Sequence, residues 1–440
     1  MTIITTSPSE HIDFNTKFSQ AYDLLENSLN HIFITGKAGT GKSTLLQYFR
    51  DHTSKNVIVV APTGVAAVNV RGQTIHSFFR FKPDITPDSV SSIKIRRTQR
   101  QIYENIDALI IDEVSMVRAD LFDCMDAFLR LHGKNKKLPF GGVQMILFGD
   151  LYQLPPVVTR YEAELFNGTY SSPYFFSANA FKDLAIDFVE LDKIYRQQEE
   201  EFIRLLGDIR NKTITEDHLK KLNKRFIPNF APDENDFYVY LTSTNVLADQ
   251  INEQKLQQLK SKPYRHDGDV TGKFEIKNLP THERLNVKFG AQVMLLNNDS
   301  QGRWVNGSIG KIISTREEEK IIRVELDDGR QVDVTPHTWE MFRFFYNEDT
   351  DALESESIGS FTQYPLKLAW AITIHKSQGK TFSKVIIDIG YGTFAHGQAY
   401  VALSRCSSFN GLVLRKPIQR QHILLDGRIV DFMSSRFDKE

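Results

Sequence analysis

Two cysteines, Cys124 and Cys406, are all that this 440-residue sequence contains. Two thiols cannot staple a chain of this length or build a four-sulfur metal site, so the expected setting is a reducing cytoplasm. Glycine and proline are also sparse, at 25 and 15 residues, which excludes collagen-like or linker-dominated architecture. No run of about 18 apolar residues occurs, so no membrane span is expected. Residues 1–15 carry neither a basic region nor an apolar core, so no secretory leader is expected either. Excess charge is missing as well. Against 54 lysines and arginines stand 55 aspartates and glutamates, a net charge of −1. A protein that coats nucleic acid by charge alone would be far more basic. A grip on nucleic acid would need its positive charge concentrated in a groove and offset elsewhere. Basic clusters at Lys94, Arg96, Arg97 and Arg100 and at Lys134, Lys136 and Lys137 permit that, as do acidic runs at 199–201, 317–319 and 348–356. Each acidic run by itself reads as a solvated face.

What is present is an ordinary folded composition, 41% apolar and 25% charged. It excludes intrinsic disorder, and the length suggests about three domains. The most informative stretch is 31–50. His31 to Thr35 is a short apolar run of the buried-strand type, followed by Gly36-Lys37-Ala38-Gly39-Thr40-Gly41-Lys42-Ser43, then a helical pattern from Thr44 with Leu45, Leu46 and Phe49 on its buried side. This is a P-loop in its required strand–loop–helix context. The glycines let backbone N–H groups turn inward around phosphates, and the helix N-terminus adds positive potential. Lys42 is expected to reach the β- and γ-phosphates and Ser43 to ligate Mg²⁺.

A P-loop needs a carboxylate for its metal at a neighbouring strand end. Ala108-Leu109-Ile110-Ile111 runs into Asp112-Glu113, as a buried parallel strand delivers acids to its C-terminal edge. Asp112 is assigned to Mg²⁺ and Glu113 to the attacking water. A third apolar strand, Gln144 to Phe148, ends in Gly149-Asp150, and Gln153 just beyond it is placed to sense the γ-phosphate.

The sequence resembles the superfamily 1 helicases of the 5′-to-3′ group, and most closely the PIF-type DNA helicases in their compact bacterial form. The blocks that carry the resemblance are GKAGTGKST (36–44), APTGVAAVNVRGQTIHSFF (61–79), LIIDEVSMV (109–117), FGGVQMILFGDLYQLPPV (140–157), LDKIYRQ (191–197), EFIRLLGDIRN (201–211), LTSTNVLADQIN (241–252), AWAITIHKSQGKTF (369–382) and AYVALSRCSS (399–408). The first and third mark many NTPases. The block at 201–211 points to the PIF-type branch. The resemblance implies that Gln20 reads the adenine edge, that Tyr195 stacks on adenine and that Gly379 contributes to the nucleotide site. It also implies that Arg196 and Arg405 reach the γ-phosphate from a second motor domain. Two such arginines make hydrolysis depend on domain closure, which turns a chemical cycle into motion.

The implied fold is α/β, with two tandem RecA-like doubly wound parallel-sheet domains. The first spans 1–185 and carries a wedge insert at about 74–101. The second comprises 186–269 and 363–440 and is interrupted by a β-barrel-like insert at 270–362. Within that insert Ile322, Val324 and Leu326 alternate with polar residues, turn at Asp328-Gly329 and continue with Val332 and Val334, a hairpin signal. Phe342, Phe344, Phe345 and Tyr346 read as barrel core, and Phe78, Phe79 and Phe81 as mostly core. Loops at strand ends facing away from ATP supply the strand-binding candidates: Pro62, Thr63, Gly64, Thr74, His76, Ser77, Thr242, Asn245, Thr373, His375, Lys376 and Ser377. Their hydroxyl, amide and imidazole groups suit phosphate and sugar contacts without base reading.

The expected activity is an ATP- and Mg²⁺-dependent DNA helicase, translocating 5′ to 3′ on single-stranded DNA. From the resemblance come the further expectations of ss/ds junctions, G-quadruplexes and RNA–DNA hybrids as substrates, a monomeric motor, a cytoplasmic, nucleoid-associated location and no membrane partner. The alternatives are a nucleotide-gated single-strand-binding clamp that never translocates and an RNA-directed helicase. With the last motif block ending at 408, little room is expected for a regulatory tail.

Overall fold

The computed structural model describes residues 14–437 apart from 159–165, 167, 183, 234–235, 275–278, 351 and 389–394. The chain divides into two compact units. The first holds 14–195, 340–359 and the C-terminal segment from 426, and the second includes 196–339 and 360–425.

The first unit is built on six strands: β1 (His31–Gly36), β2 (Val57–Ala61), β3 (Gln73–Thr74), β4 (Ala108–Ile111), β5 (Gln144–Phe148) and β6 (Ile186–Leu191). They pair in the order β3-β2-β4-β5-β1-β6, all in parallel. β4 and β5 are buried at every residue, as the continuous apolar runs of a two-sided parallel sheet require. Parallel pairing puts all strand C-termini on one edge. The P-loop after β1, Asp112 after β4 and Asp150 after β5 therefore gather there, the usual place for a ligand in such sheets.

Three segments fall in this unit against expectation. The stretch 186–191 opens no second sheet. It is β6, in register with the whole of β1 from His31↔Ile186 to Gly36↔Leu191. Its apolar pattern looked the same from either sheet, because only the partner strand decides. The helix Gly427–Phe437 also belongs here. Ile429 and Met433 join the first unit's core, and Phe432 stacks on Phe176 at 4.3 Å. The third segment is 340–359, the outer part of a long hairpin. Between 74 and 101 lie a short helix (Ile75–Phe79), a helical turn and a helix (Arg97–Asn105). Phe78, Phe79 and Phe81 are all core, so none is exposed as a wedge, whereas Lys94, Arg96, Arg97 and Arg100 are exposed.

In the second unit β7 (Val239–Thr242) starts a sheet that is interrupted by an antiparallel insert. The insert contains β8 (Pro263–Asp267), β9 (Asp269–Gly272), β10 (Arg284–Lys288), β11 (Gln292–Leu295), β12 (Ile309–Arg316), β13 (Ile321–Leu326), β14 (Gln331–Val334), β15 (His337–Asn347), β16 (Ala352–Gln363) and β17 (Leu366–Leu368). One sheet runs β14-β13-β12-β11-β17 around a core of Leu285, Val293, Ile312, Val324 and Tyr364. The hairpin expected from the alternation forms as β13–β14, with Ile322↔Val334 and Val324↔Val332 paired. Its turn residue Gly329 sits at φ 84°, a conformation glycine adopts without steric cost. The sheet then resumes with β18 (Ala371–Thr373), β19 (Val385–Ile387) and β20 (Leu412–Leu414). The order β18-β7-β19-β20 is again parallel.

The outer halves of β15 and β16, 340–359, group with the first unit. Phe344 packs on the first unit's core and not in the insert's, 6.4 Å from Phe78 ring to ring. The Gln73 side-chain amide donates to the Phe342 carbonyl, and the Leu353 N–H donates to Asn56 Oδ1 at 3.1 Å. Phe342, Phe344, Phe345 and Tyr346 are all only half-buried, so the stripe is not the barrel core expected of it: on a long hairpin that leaves the insert, Phe344 finds another core.

Candidate active site and strand-binding surface

The loop after β1 is held open by its own backbone. Gly36, Gly39 and Gly41 all have positive φ, 147°, 82° and 87°. A Cβ on Gly36 would lie 2.5 Å from the Leu191 carbonyl oxygen, so a side chain there would push β6 from the loop. Gly41 caps the helix Lys42–His52 without a side-chain acceptor, which leaves its first N–H groups for a ligand. Lys42 Nζ donates to the carbonyls of Gly36 at 2.8 Å and Lys37 at 3.0 Å, and Thr40 Oγ1 donates to Lys37 O at 3.0 Å. Ser43 and Thr44 begin the helix exposed.

Asp112 follows β4, and its Oδ1 accepts the Glu113 N–H at 3.0 Å. Burial, with the Glu113 carboxylate beside it, pushes the Asp112 pKa up to about 7. Glu113 itself sits at φ 53°, ψ 44°, a left-handed conformation rare for a glutamate and frequent at functional sites. A half-buried carboxylate at a strand end, on the same sheet edge as the P-loop and destabilised in its charged form, fits a divalent cation. The raised pKa has a consequence for the unliganded protein. The folded state holds the Asp112 proton more tightly than the unfolded chain, so this group's contribution to stability falls as pH rises from about 4 to about 7. Asp112→Asn is therefore expected to melt above the parent at pH 8, with the gap closing toward pH 4, and to hydrolyse no ATP. Thermal melts across that range, without nucleotide or divalent ion, test this. An Asn variant less stable at pH 8 than at pH 4, relative to the parent, would contradict it.

Gln153 is buried in the turn after β5, and its amide donates to Asp150 Oδ2 at 3.3 Å. Tyr195 is tied to the P-loop: its N–H donates to the Gly39 carbonyl at 2.9 Å, and its ring edge lies 3.8 Å from where a Cβ on Gly41 would stand. Its hydroxyl accepts from Asn15 Nδ2 at 2.9 Å. Sequence reasoning passed over Asn15, which also caps the helix Thr16–Asn27 by accepting the Phe18 N–H at 2.9 Å. An asparagine just before a helical pattern was the available signal. Gln20 is exposed on that helix, with Lys17 Nζ 3.5 Å from its Oε1.

The two arginines lie on the second unit and converge on one segment. Arg196 donates to Ser404 O at 3.3 Å and Gly379 O at 3.4 Å. Arg405 is 1% exposed. It donates to Val401 O (2.9 Å), Ser404 Oγ (2.8 Å), Ser377 O (3.4 Å) and Lys380 O (3.3 Å). Gly379, at φ 75°, where an added Cβ would meet nothing within 4 Å, lies in the same turn.

The strand-binding candidates divide by exposure. In the first unit Thr63 and Thr74 cap the short helices Gly64–Asn69 and Ile75–Phe79, with Pro62 and His76 half-buried and Ser77 exposed. Because β2 and β3 are parallel to β1 through the sheet, these residues lie on the same strand-end edge as the P-loop and not on the opposite one, displaced instead along the strand order. In the second unit Asn245, His375 and Lys376 are exposed. Thr242, Thr373 and Ser377 are buried. Their hydroxyls are spent on the turns: Thr242 donates to Thr244 O at 3.1 Å, Thr373 accepts the Lys376 N–H at 3.2 Å, and Ser377 donates to Ile374 O at 2.7 Å. They shape these loops, whereas Asn245, His375 and Lys376 face solvent.

Known proteins resemble this chain over most of its length. A family model described as PIF1-like helicase matches residues 14–220. The ATP-dependent DNA helicase Pif1 of Bdellovibrio bacteriovorus is 33% identical over 436 residues, spanning 97% of this chain and 92% of that protein. The crystal structure of Bacteroides sp Pif1 in complex with ADP-AlF4 superposes with a TM-score of 0.89 at 36% identity, covering 97% of this chain and 98% of that one. Bacteroides Pif1 bound to ssDNA gives 0.68 at 37% identity, with 96% and 97% covered. The near full-length match, on a P-loop fold with these motifs, places the chain in the PIF1-like helicase family.

Proposed function

We propose that this chain hydrolyses ATP to translocate 5′ to 3′ along single-stranded DNA and to unwind duplex ahead of it, with ss/ds junctions, G-quadruplexes and RNA–DNA hybrids among its substrates. The observation that carries the reading is the division of parts. One unit holds an open-capped P-loop with Asp112 and Glu113 at the same sheet edge, and the other holds two arginines fastened to one short segment. A simple nucleotide switch needs only the first set. The resemblance to relatives named DNA helicases, one of them solved with ssDNA, supports DNA as the track.

The backbone N–H groups of Ala38, Gly39, Thr40 and Gly41 bind the phosphates, and Lys42 exchanges its loop carbonyls for phosphate oxygens. Ser43 and Asp112 would hold Mg²⁺, which would supply neutralising charge for the phosphates. Glu113 takes the proton of the attacking water, and Gln153 orients that water. Arg196 and Arg405 stabilise the charge that develops on the transferring group. Gln20 and Tyr195 hold the adenine. Thr63, Ser77, Asn245, His375 and Lys376 contact the sugar–phosphate backbone and read no bases.

ATPase and unwinding measured on 5′-tailed, 3′-tailed and RNA-tailed duplexes in one series test the reading. Unwinding is expected with the 5′ DNA tail and not with the 3′ tail. Unwinding of the 3′-tailed duplex alone would reverse the proposed direction, and preference for the RNA tail would assign the motor to RNA.

A further inference from the structure

Gln197 follows Arg196 directly, yet the nucleotide chemistry gives it no task. It is 3% exposed. Its side-chain nitrogen donates to two carbonyls, Ser404 O at 3.1 Å and Cys406 O at 2.9 Å. These are the residues on either side of Arg405. One amide therefore clamps the backbone on both flanks of the arginine, just where the helix Gln398–Leu403 has ended and the helical ladder no longer fixes the chain. The bond to Cys406 O is made at the residue that also bridges to Phe382, so the stretch that the amide clamps is tied as well to the segment leading into β19. Ser404 O is shared with the Arg196 guanidinium. Residues 196 and 197 thus bind one three-residue stretch, the first with a guanidinium and the second with a carboxamide.

We infer that Gln197 is a positioning residue for Arg405: it fixes the origin of that side chain so that the guanidinium meets the phosphate in register. The chemistry requires a carboxamide here. A buried lysine would bring an uncompensated charge, a carboxylate would repel both carbonyls, and an apolar side chain would donate nothing. This inference rests on the reading of Arg405 as a phosphate-stabilising group. A misplacement of about 1 Å in such a group costs about 10²-fold in rate, and the loss falls on turnover and not on substrate binding when the group acts in the transition state.

The test compares four full-length proteins: parent, Gln197→Met, Arg405→Ala and the double variant. Methionine keeps the length and volume of glutamine and removes the donors, and Gln197→Asn, which keeps the amide one methylene short, serves if the Met variant does not fold. Steady-state ATPase is read with saturating single-stranded DNA, beside Kd for that DNA. Gln197→Met is expected to lower kcat about 10–10²-fold, with the ATP KM and the DNA Kd within about threefold of the parent. In the Arg405→Ala background it is expected to cost nothing further, because a residue that acts only through Arg405 has nothing left to position. A Gln197→Met protein at the parent kcat, with Arg405→Ala inactive, would overturn the inference alone. A full additional loss in the double variant would also overturn it, giving Gln197 a role independent of Arg405. Parent turnover by Arg405→Ala would overturn the reading beneath it.

Discussion

Arg405→Ala is expected to lower DNA-stimulated ATP turnover about 10³–10⁵-fold, with little change in ATP KM or in affinity for single-stranded DNA. Phosphoryl transfer asks the protein for positioning and charge stabilisation more than for covalent help. A guanidinium reserved for the transition state therefore affects kcat alone. The structure gives a reason to expect this pattern. Arg405 is among the largest fully buried side chains, and two of its bonds, to Ser377 O and Lys380 O, are long at 3.4 and 3.3 Å. Exchange of these two long bonds for charge-assisted bonds to a phosphate is favourable. Lysine at 405 is expected to restore little, since it keeps the charge but loses the planar fork. Steady-state kinetics with a DNA titration decide the matter. A rise in KM at constant kcat would make Arg405 a ground-state binding residue.

Lys42→Ala is expected to abolish turnover, by at least about 10²–10³-fold, and to leave strand binding largely intact. Two losses combine. The phosphates lose the ammonium that neutralises them, and the P-loop loses the brace that Lys42 makes between the helix start and the carbonyls of Gly36 and Lys37. The helix keeps its open N-terminus, so weak nucleotide binding should survive. The strand-binding candidates lie beyond other strands or on the other unit, so DNA affinity measured without nucleotide should match the parent. Turnover by Lys42→Ala at the parent rate would remove the nucleotide site from where it has been assigned.

Local chemistry was legible in the sequence wherever a short segment is sufficient to define it. The P-loop, the Asp112-Glu113 strand end and the β13–β14 hairpin each carry their partners within a few residues, and each forms as read. Long-range choices were less legible. Residues 186–191 form a sound strand whichever sheet they join, and only pairing with β1 decides. The stripe Phe342–Tyr346 reads as core yet stays half-buried, and which core Phe344 meets depends on the reach of a hairpin whose strands are 11 and 12 residues long. Thr242, Thr373 and Ser377 show a third limit. A hydroxyl beside a turn serves a ligand or the turn itself, and composition does not distinguish the two. Asn15 and Gln197 went unread for a related reason: an amide signals nothing until the groups it joins are brought together.

The central claim, that hydrolysis on this fold drives movement along a strand, is tested most directly by displacement of streptavidin from biotinylated single-stranded DNA. With ATP, the account predicts accelerated release from the 3′ end, none from the 5′ end, and loss of both ATPase and release in Arg405→Ala. ATP hydrolysis at the full parent rate with streptavidin retained at both ends would show a clamp that cycles in place, and would contradict it.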